Sequence, residues 1–121
     1  MNKMNCSFKK KFSFSKRSEE STRILSKYSD KIPIIVTKSD TCDLPDIDKN
    51  KFLVPAEITL AQFMYVIRRR INLSSEESIF LFLNNNVLAH TSATLGSLYQ
   101  EHKDKDGFLY LVYCNENAFG N

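Results

Sequence analysis

The sequence predicts an α+β fold: a mixed four-stranded sheet wrapped around one helix, the arrangement called a β-grasp, with an N-terminal helical extension. Two observations predict it. The runs IPIIVTK (32–38), KFLVP (51–55), IFLFL (79–83) and FLYLVY (108–113) are β-branched or aromatic and end in polar or turn-forming residues, as strands do. One well-marked helical pattern falls between the second and third of them. A ferredoxin-like sandwich competes, but it needs two equal helices, and the second helical segment here is short.

The N-terminal helix is read over 13–28, SFSKRSEESTRILSKY, with Ser13 as N-cap. Phe14, Ser21, Leu25 and Tyr28 recur near one face, with Glu20 and Ile24 on a neighbouring strip. The preceding SFKKKF is too short to decide between one helical turn and disorder. The first strand runs into the turn-prone SDTCD, and LPDIDKNK is loop. Pro55 stops the second strand; lacking an N–H, it suits a strand end or an edge.

Thr59 followed three residues later by Gln62 makes a capping box, and Ile58 before it can staple against Phe63. Leu60, Phe63, Met64, Ile67 and Ile71 then form one apolar stripe. Arg68, Arg69 and Arg70 end this helix, where its dipole favours cations. That makes them a solvated helix end before they are a dedicated site. IFLFL is apolar throughout, as a strand covered on both faces should be. NNN (84–86) is a turn, VL (87–88) a short strand arm, and TSATLGSLYQEH holds a short helix with Leu95, Leu98 and Tyr99 apolar. KDKDG (103–107) turns into the last strand, and the tail CNENAFGN is polar.

At 121 residues, 42% hydrophobic and 26% charged, the chain has room for one core and an ordinary globular balance. Its apolar runs fall far short of the ~20 residues a membrane span needs. MNKMNCSFKKKF has no apolar h-region of the secretory kind, which points to a soluble, intracellular protein. Cys6, Cys42 and Cys114 are scattered, with no CxxC pair and two histidines, so no metal site is expected. A reducing compartment fits them. Residues 1–31 carry nine Lys/Arg against three acids, so the first quarter is +6 within a net +3. No RNP motif, helix-turn-helix or zinc finger accompanies that charge, and an acidic peptide partner suits it better than nucleic acid.

No catalytic constellation is visible. The three glycines, Gly96, Gly107 and Gly120, form no phosphate loop. No Cys/His/acid set has motif spacing, and KDKDG lacks the ligand ladder of an EF-hand. The reading is a non-enzyme without cofactor.

Six segments read together do resemble one family: FSKR (14–17), KIPIIV (31–36), LPDIDKNKFLVP (44–55), QFMYVIRRRI (62–71), TSATLGSLYQEHKDKDGFLY (91–110) and FG (119–120). They look like the ubiquitin-like autophagy modifiers, the GABARAP and microtubule-associated light-chain-three group, from Phe14 to Gly120. The resemblance implies a ubiquitin-like β-grasp with two added N-terminal helices. The organisation expected is a helical extension over 1–30, a core over 31–116 and a conjugation tail over 117–121.

Members of that family are cut by a cysteine protease after a C-terminal glycine, handled by ubiquitin-like activating and conjugating enzymes, and amide-linked to phosphatidylethanolamine. Here the resemblance implies cleavage between Gly120 and Asn121 and lipidation of Gly120. A glycine, without a side chain, lets its carbonyl meet a nucleophile unhindered. The family also docks short aromatic-x-x-aliphatic motifs of cargo receptors and adaptors by strand addition. The implied aromatic pocket is Glu20, Ile24, Pro33, Ile35, Lys49, Lys51, Leu53 and Phe108. The aliphatic pocket is Phe52, Val54, Pro55, Ile58, Phe63 and Val66, with Lys31 and Arg70 among the charged contacts. Along KFLVP, Lys51 and Leu53 share one face while Phe52 and Val54 share the other, which supports that division; Leu53, Phe63 and Val66 could equally be core.

The chain departs from the family in NNNVLAHT, one residue longer with Ala89-His90 in place of a proline pair, in Phe52 for tyrosine, and in Ser29 for proline. The implied location is cytoplasm, and autophagosome membrane when lipidated. The alternative is a non-conjugated β-grasp module that binds cytoskeleton, microtubules included, or acidic peptides through its basic N-terminus.

Overall fold

β-Branched and aromatic residues concentrate in two strands that occupy the middle of the sheet, β1 (Lys31–Lys38) and β4 (Leu109–Cys114), paired in parallel. The structure is a computed structural model that describes residues 7–83 and 87–115. Cys6, the expected NNN turn and the tail with Phe119, Gly120 and Asn121 lie outside the described residues. β2 (Lys51–Pro55) pairs antiparallel with β1, and β3 (Phe80–Leu83) antiparallel with β4, giving the order β2-β1-β4-β3. The helices are α1 (Ser7–Lys11), α2 (Phe14–Lys27), α3 (Leu60–Arg70) and α4 (Leu95–His102). This is the mixed sheet and intervening helix that the element order predicts. VL (87–88) contributes an isolated bridge from Leu88 to Phe82.

β1 is buried on both faces because helices lie on both sides of it. Ile32, Ile34 and Val36 point to the α3 side, where Leu60, Phe63, Ile67 and Ile71 are buried with them in the main core. The N-terminus of α3 is fixed as the sequence predicts: the Gln62 N–H donates to the Thr59 hydroxyl at 3.2 Å, and the Thr59 N–H donates to the Gln62 side chain at 2.9 Å. Phe52 of β2 meets Phe63 edge-on at 5.4 Å. Such pairs add ~0.5–1.5 kcal/mol beyond burial.

The other face of the sheet holds a smaller core of Phe8, Ile35, Phe108 and Tyr110, with Ile24 packed against it. Phe8 makes SFKKKF a helix with a purpose: its ring stands at 75° to that of Phe108, 5.3 Å away.

The face of α2 that meets the sheet agrees with the expected one in its middle and differs at its ends. Ser21 is buried and Leu25 packs against the core, as expected, but Phe14 and Tyr28 are exposed and Arg17 is buried. Arg17 can lie inside because Asp106, wholly covered, is 3.2 Å from its guanidinium. The Asp106 carboxylate also accepts the Phe108 N–H at 2.9 Å and the Tyr110 hydroxyl, and its carbonyl accepts the Ser21 hydroxyl. Gly107 sits at φ +95°, and any Cβ there would collide with the Ser21 hydroxyl. Helix and turn can therefore touch only because that residue is glycine.

Candidate functional site

β2 lies at the edge of the sheet, so one row of its backbone N–H and C=O groups has no strand partner among the described residues. Such an edge is a template for an added strand. Its side chains alternate. Pro33 lies opposite Leu53, and Ile35 opposite Lys51, so these four share the face that α2 covers. Ile32 lies opposite Val54, and Ile34 opposite Phe52, on the α3 face. A side-chain period of two means that residues three apart on an added strand point to opposite faces. The edge thus offers one environment to the first residue of an aromatic-x-x-aliphatic segment and the other to its last.

On the α2 face, Pro33, Ile35 and Phe108 form a buried floor with Ile24 beside it. Leu53 is 37% exposed at the rim, so it is not core. Lys51 and Glu20 are ion-paired across the gap between β2 and α2. Arg23 approaches the same Glu20 carboxylate at 3.8 Å.

On the α3 face, Phe52, Val54 and Phe63 are core, Pro55 and Ile58 are half-buried, and Val66 is 38% exposed. Val66 opens into a depression of about 530 Å³ walled by Asp48, Tyr65, Arg69 and Arg70. Of the three residues the sequence left between core and groove, Phe63 is core, while Leu53 and Val66 reach solvent.

Cations flank both sides. Lys49 lies 5.1 Å and Arg70 5.8 Å from the centre of the Phe52 ring, and Lys31 begins β1 opposite Pro55. Arg70 also donates to Asp48 at 3.1 Å. That hydrogen bond, chiefly, holds the exposed Asp48 carboxyl below the usual carboxylate range. The three arginines divide their work: Arg68 donates to the Ser74 carbonyl at 2.8 Å, Arg69 lies 5.8 Å from the Tyr65 ring, and Arg70 holds Asp48.

Sequence reasoning missed Phe8, Asp48, Tyr65 and Arg69 as neighbours of this edge. Tyr65 carries a usable signal, being an aromatic off the apolar stripe of α3 and therefore solvent-facing. Phe8 carries none, because its partner Phe108 is remote in sequence. α1 is held further by Lys9 and Asp104, 2.7 Å apart. Burial raises the Asp104 carboxyl, but Lys9 and the Asp106 N–H outweigh it and bring it below the ordinary value.

Among the described residues no group of three or more His, Cys, Asp or Glu could hold a metal ion, and no helix is long and apolar enough to cross a membrane. Gly120, expected to be the reactive end, lies outside the described residues.

Comparison with known proteins agrees with this architecture. The family model described as "Autophagy protein Atg8 ubiquitin like" matches residues 16–120. Autophagy-related protein 8 of Kluyveromyces lactis is 51% identical over 118 residues, 98% of this chain and 94% of that protein. Autophagy-related protein 8B of Oryza sativa subsp. indica is 52% identical over 114 residues, 94% of this chain and 95% of that protein. The crystal structure of Trypanosoma brucei ATG8 superposes with a TM-score of 0.87 at 33% identity, covering 93% of this chain and 96% of that one. With the β-grasp sheet, the paired N-terminal helices and a match that runs through Gly120, this chain belongs to the Atg8 family of autophagy-related ubiquitin-like proteins.

Proposed function

We propose that this protein is a ubiquitin-like modifier that becomes membrane-bound through Gly120 and recruits cargo receptors and adaptors through the β2 edge. A cysteine protease cuts between Gly120 and Asn121. Enzymes of the ubiquitin-like activating and conjugating type then transfer the Gly120 carbonyl to the amine of phosphatidylethanolamine. The protein moves in this way from the cytoplasm to the autophagosomal membrane.

The observation that carries the docking half is the open edge of β2, with Leu53 exposed on one face and Val66 on the other. An incoming strand gains main-chain hydrogen bonds from the edge and specificity from two side chains that face opposite ways. Lys31, Lys49, Lys51 and Arg70 suit acidic residues beside the motif. Pro33, Ile35 and Phe108, with Glu20 and Ile24, receive the aromatic residue. Phe52, Val54, Pro55, Ile58, Phe63 and Val66 receive the aliphatic one. In this division residues 1–30 act as a helical extension on a core of 31–116, and 117–121 as the conjugation tail.

The test is reconstitution with the processing and conjugating enzymes on vesicles containing phosphatidylethanolamine. The wild-type chain is expected to yield a membrane-bound, lipase-sensitive product, and Gly120→Ala none while remaining folded. Equal conjugation of both chains, or no conjugation of the wild type, as a non-conjugated module requires, would refute the proposal.

A further inference from the structure

α1 holds five residues, too few to persist as a helix in isolation, so its place is set by what it packs on. Its one buried residue is Phe8. The Phe8 ring meets Phe108 edge-on at 5.3 Å, inside the cluster shared with Ile35, Tyr110 and Ile24. Lys9 fastens the same turn from outside. Its ammonium lies 2.7 Å from the Asp104 carboxylate and 4.6 Å from the centre of the Tyr110 ring. Phe12, just beyond α1, lies against Phe8 at 5.1 Å, and its N–H donates to the Phe8 carbonyl at 3.1 Å.

Ile35 and Phe108 are also the floor of the groove on the α2 face, with Ile24 beside them. α1 and the groove therefore share one small core. We infer that Phe8 is a positioning residue for docking of the aromatic side chain, held in place by the Lys9–Asp104 latch. The inference rests on the reading of the β2 edge as a docking groove, and adds to it a residue that never touches the ligand. Phe8 is 5% exposed, too deeply covered to meet a peptide. Its ring instead fixes the ring of Phe108. An aromatic side chain seated on Phe108 needs that ring in one place, because aromatic pairs are favourable only at particular offsets and angles.

With α1 lifted, the floor loses its backing, and ordering it again on binding costs affinity. Where only a fraction of molecules has α1 seated, the apparent affinity falls by that fraction. The latch acts on the same equilibrium, since Lys9 and Asp104 hold α1 to the turn that leads into Phe108.

The experiment uses the full chain and two acidic peptides that differ only at the first motif position, tryptophan in one and leucine in the other. Calorimetric titration gives both affinities for the wild type, Phe8→Ala and Phe8→Leu, with unfolding curves alongside. Phe8→Ala is expected to weaken the tryptophan peptide by about threefold to tenfold, the range an aromatic pair carries, and the leucine peptide by less. Phe8→Leu refills the space and is expected to recover most of the loss. A purely structural role would weaken both peptides by one factor, and that result, or no change in either, would overturn the inference. Should Phe8→Ala fail to fold, Asp104→Asn carries the test. It adds one positive charge, which by attraction alone tightens an acidic peptide, whereas release of α1 weakens it. Tighter or unchanged binding of the tryptophan peptide by Asp104→Asn would then overturn the inference. A wild type that binds neither peptide would refute the docking groove itself, and this inference with it.

Discussion

Lys51 of β2 is ion-paired with Glu20 of α2, and the pair spans the rim between the sheet edge and the N-terminal helix. It sits beside Leu53 on the same face of β2, so an added strand must pass it.

Lys51→Ala should therefore weaken docking of an acidic aromatic-x-x-aliphatic peptide by ~0.2–1 kcal/mol, the usual worth of an exposed charge pair. Stability should barely change, because the lysine is partly solvated and leaves no cavity. The difference should shrink with added salt, which screens exposed charges over ~10 Å at 0.1 M. Calorimetric titration at two ionic strengths checks it, and a salt-independent loss would point to packing instead of charge.

Asp106 ties α2 to the core through Arg17, Ser21, Phe108 and Tyr110. Asp106→Ala leaves the Arg17 guanidinium buried without its counter-charge. Loss of one partner of a buried pair costs ~3–5 kcal/mol, and urea unfolding should show a drop of that order. A loss below ~1 kcal/mol would mean that Arg17 simply turns out to solvent.

Thr59→Ala removes the hydroxyl that accepts the Gln62 N–H at the start of α3. The expected cost is ~0.5–2 kcal/mol of stability, measured as a shift in denaturant midpoint. An unchanged midpoint would show that neighbouring groups replace the cap.

What the sequence made legible was local. The Thr59–Gln62 box spans three residues, and the alternation of KFLVP is read within one strand, so both carry over into the structure without correction. The ends of the α2 face were misread, though Ser21 and Leu25 were not, because helical spacing ranks Phe14 and Tyr28 above Arg17. Arg17 is buried through Asp106, 89 positions away, and no local pattern encodes that partner. The same distance problem hides Phe8 against Phe108. Resemblance supplied the two pocket lists, but burial divides each between floor and rim, and only the fold shows that division.

The central claim for the docking edge is that Leu53 belongs to a groove and not to the core. Titration of one aromatic-x-x-aliphatic peptide against the wild type and Leu53→Ala, with unfolding curves for both, tests it most directly. The account predicts a loss of affinity of about tenfold, ~1.4 kcal/mol, with a stability loss well under the ~2–5 kcal/mol of a core leucine. Unchanged affinity, or a core-sized collapse in stability, would contradict it.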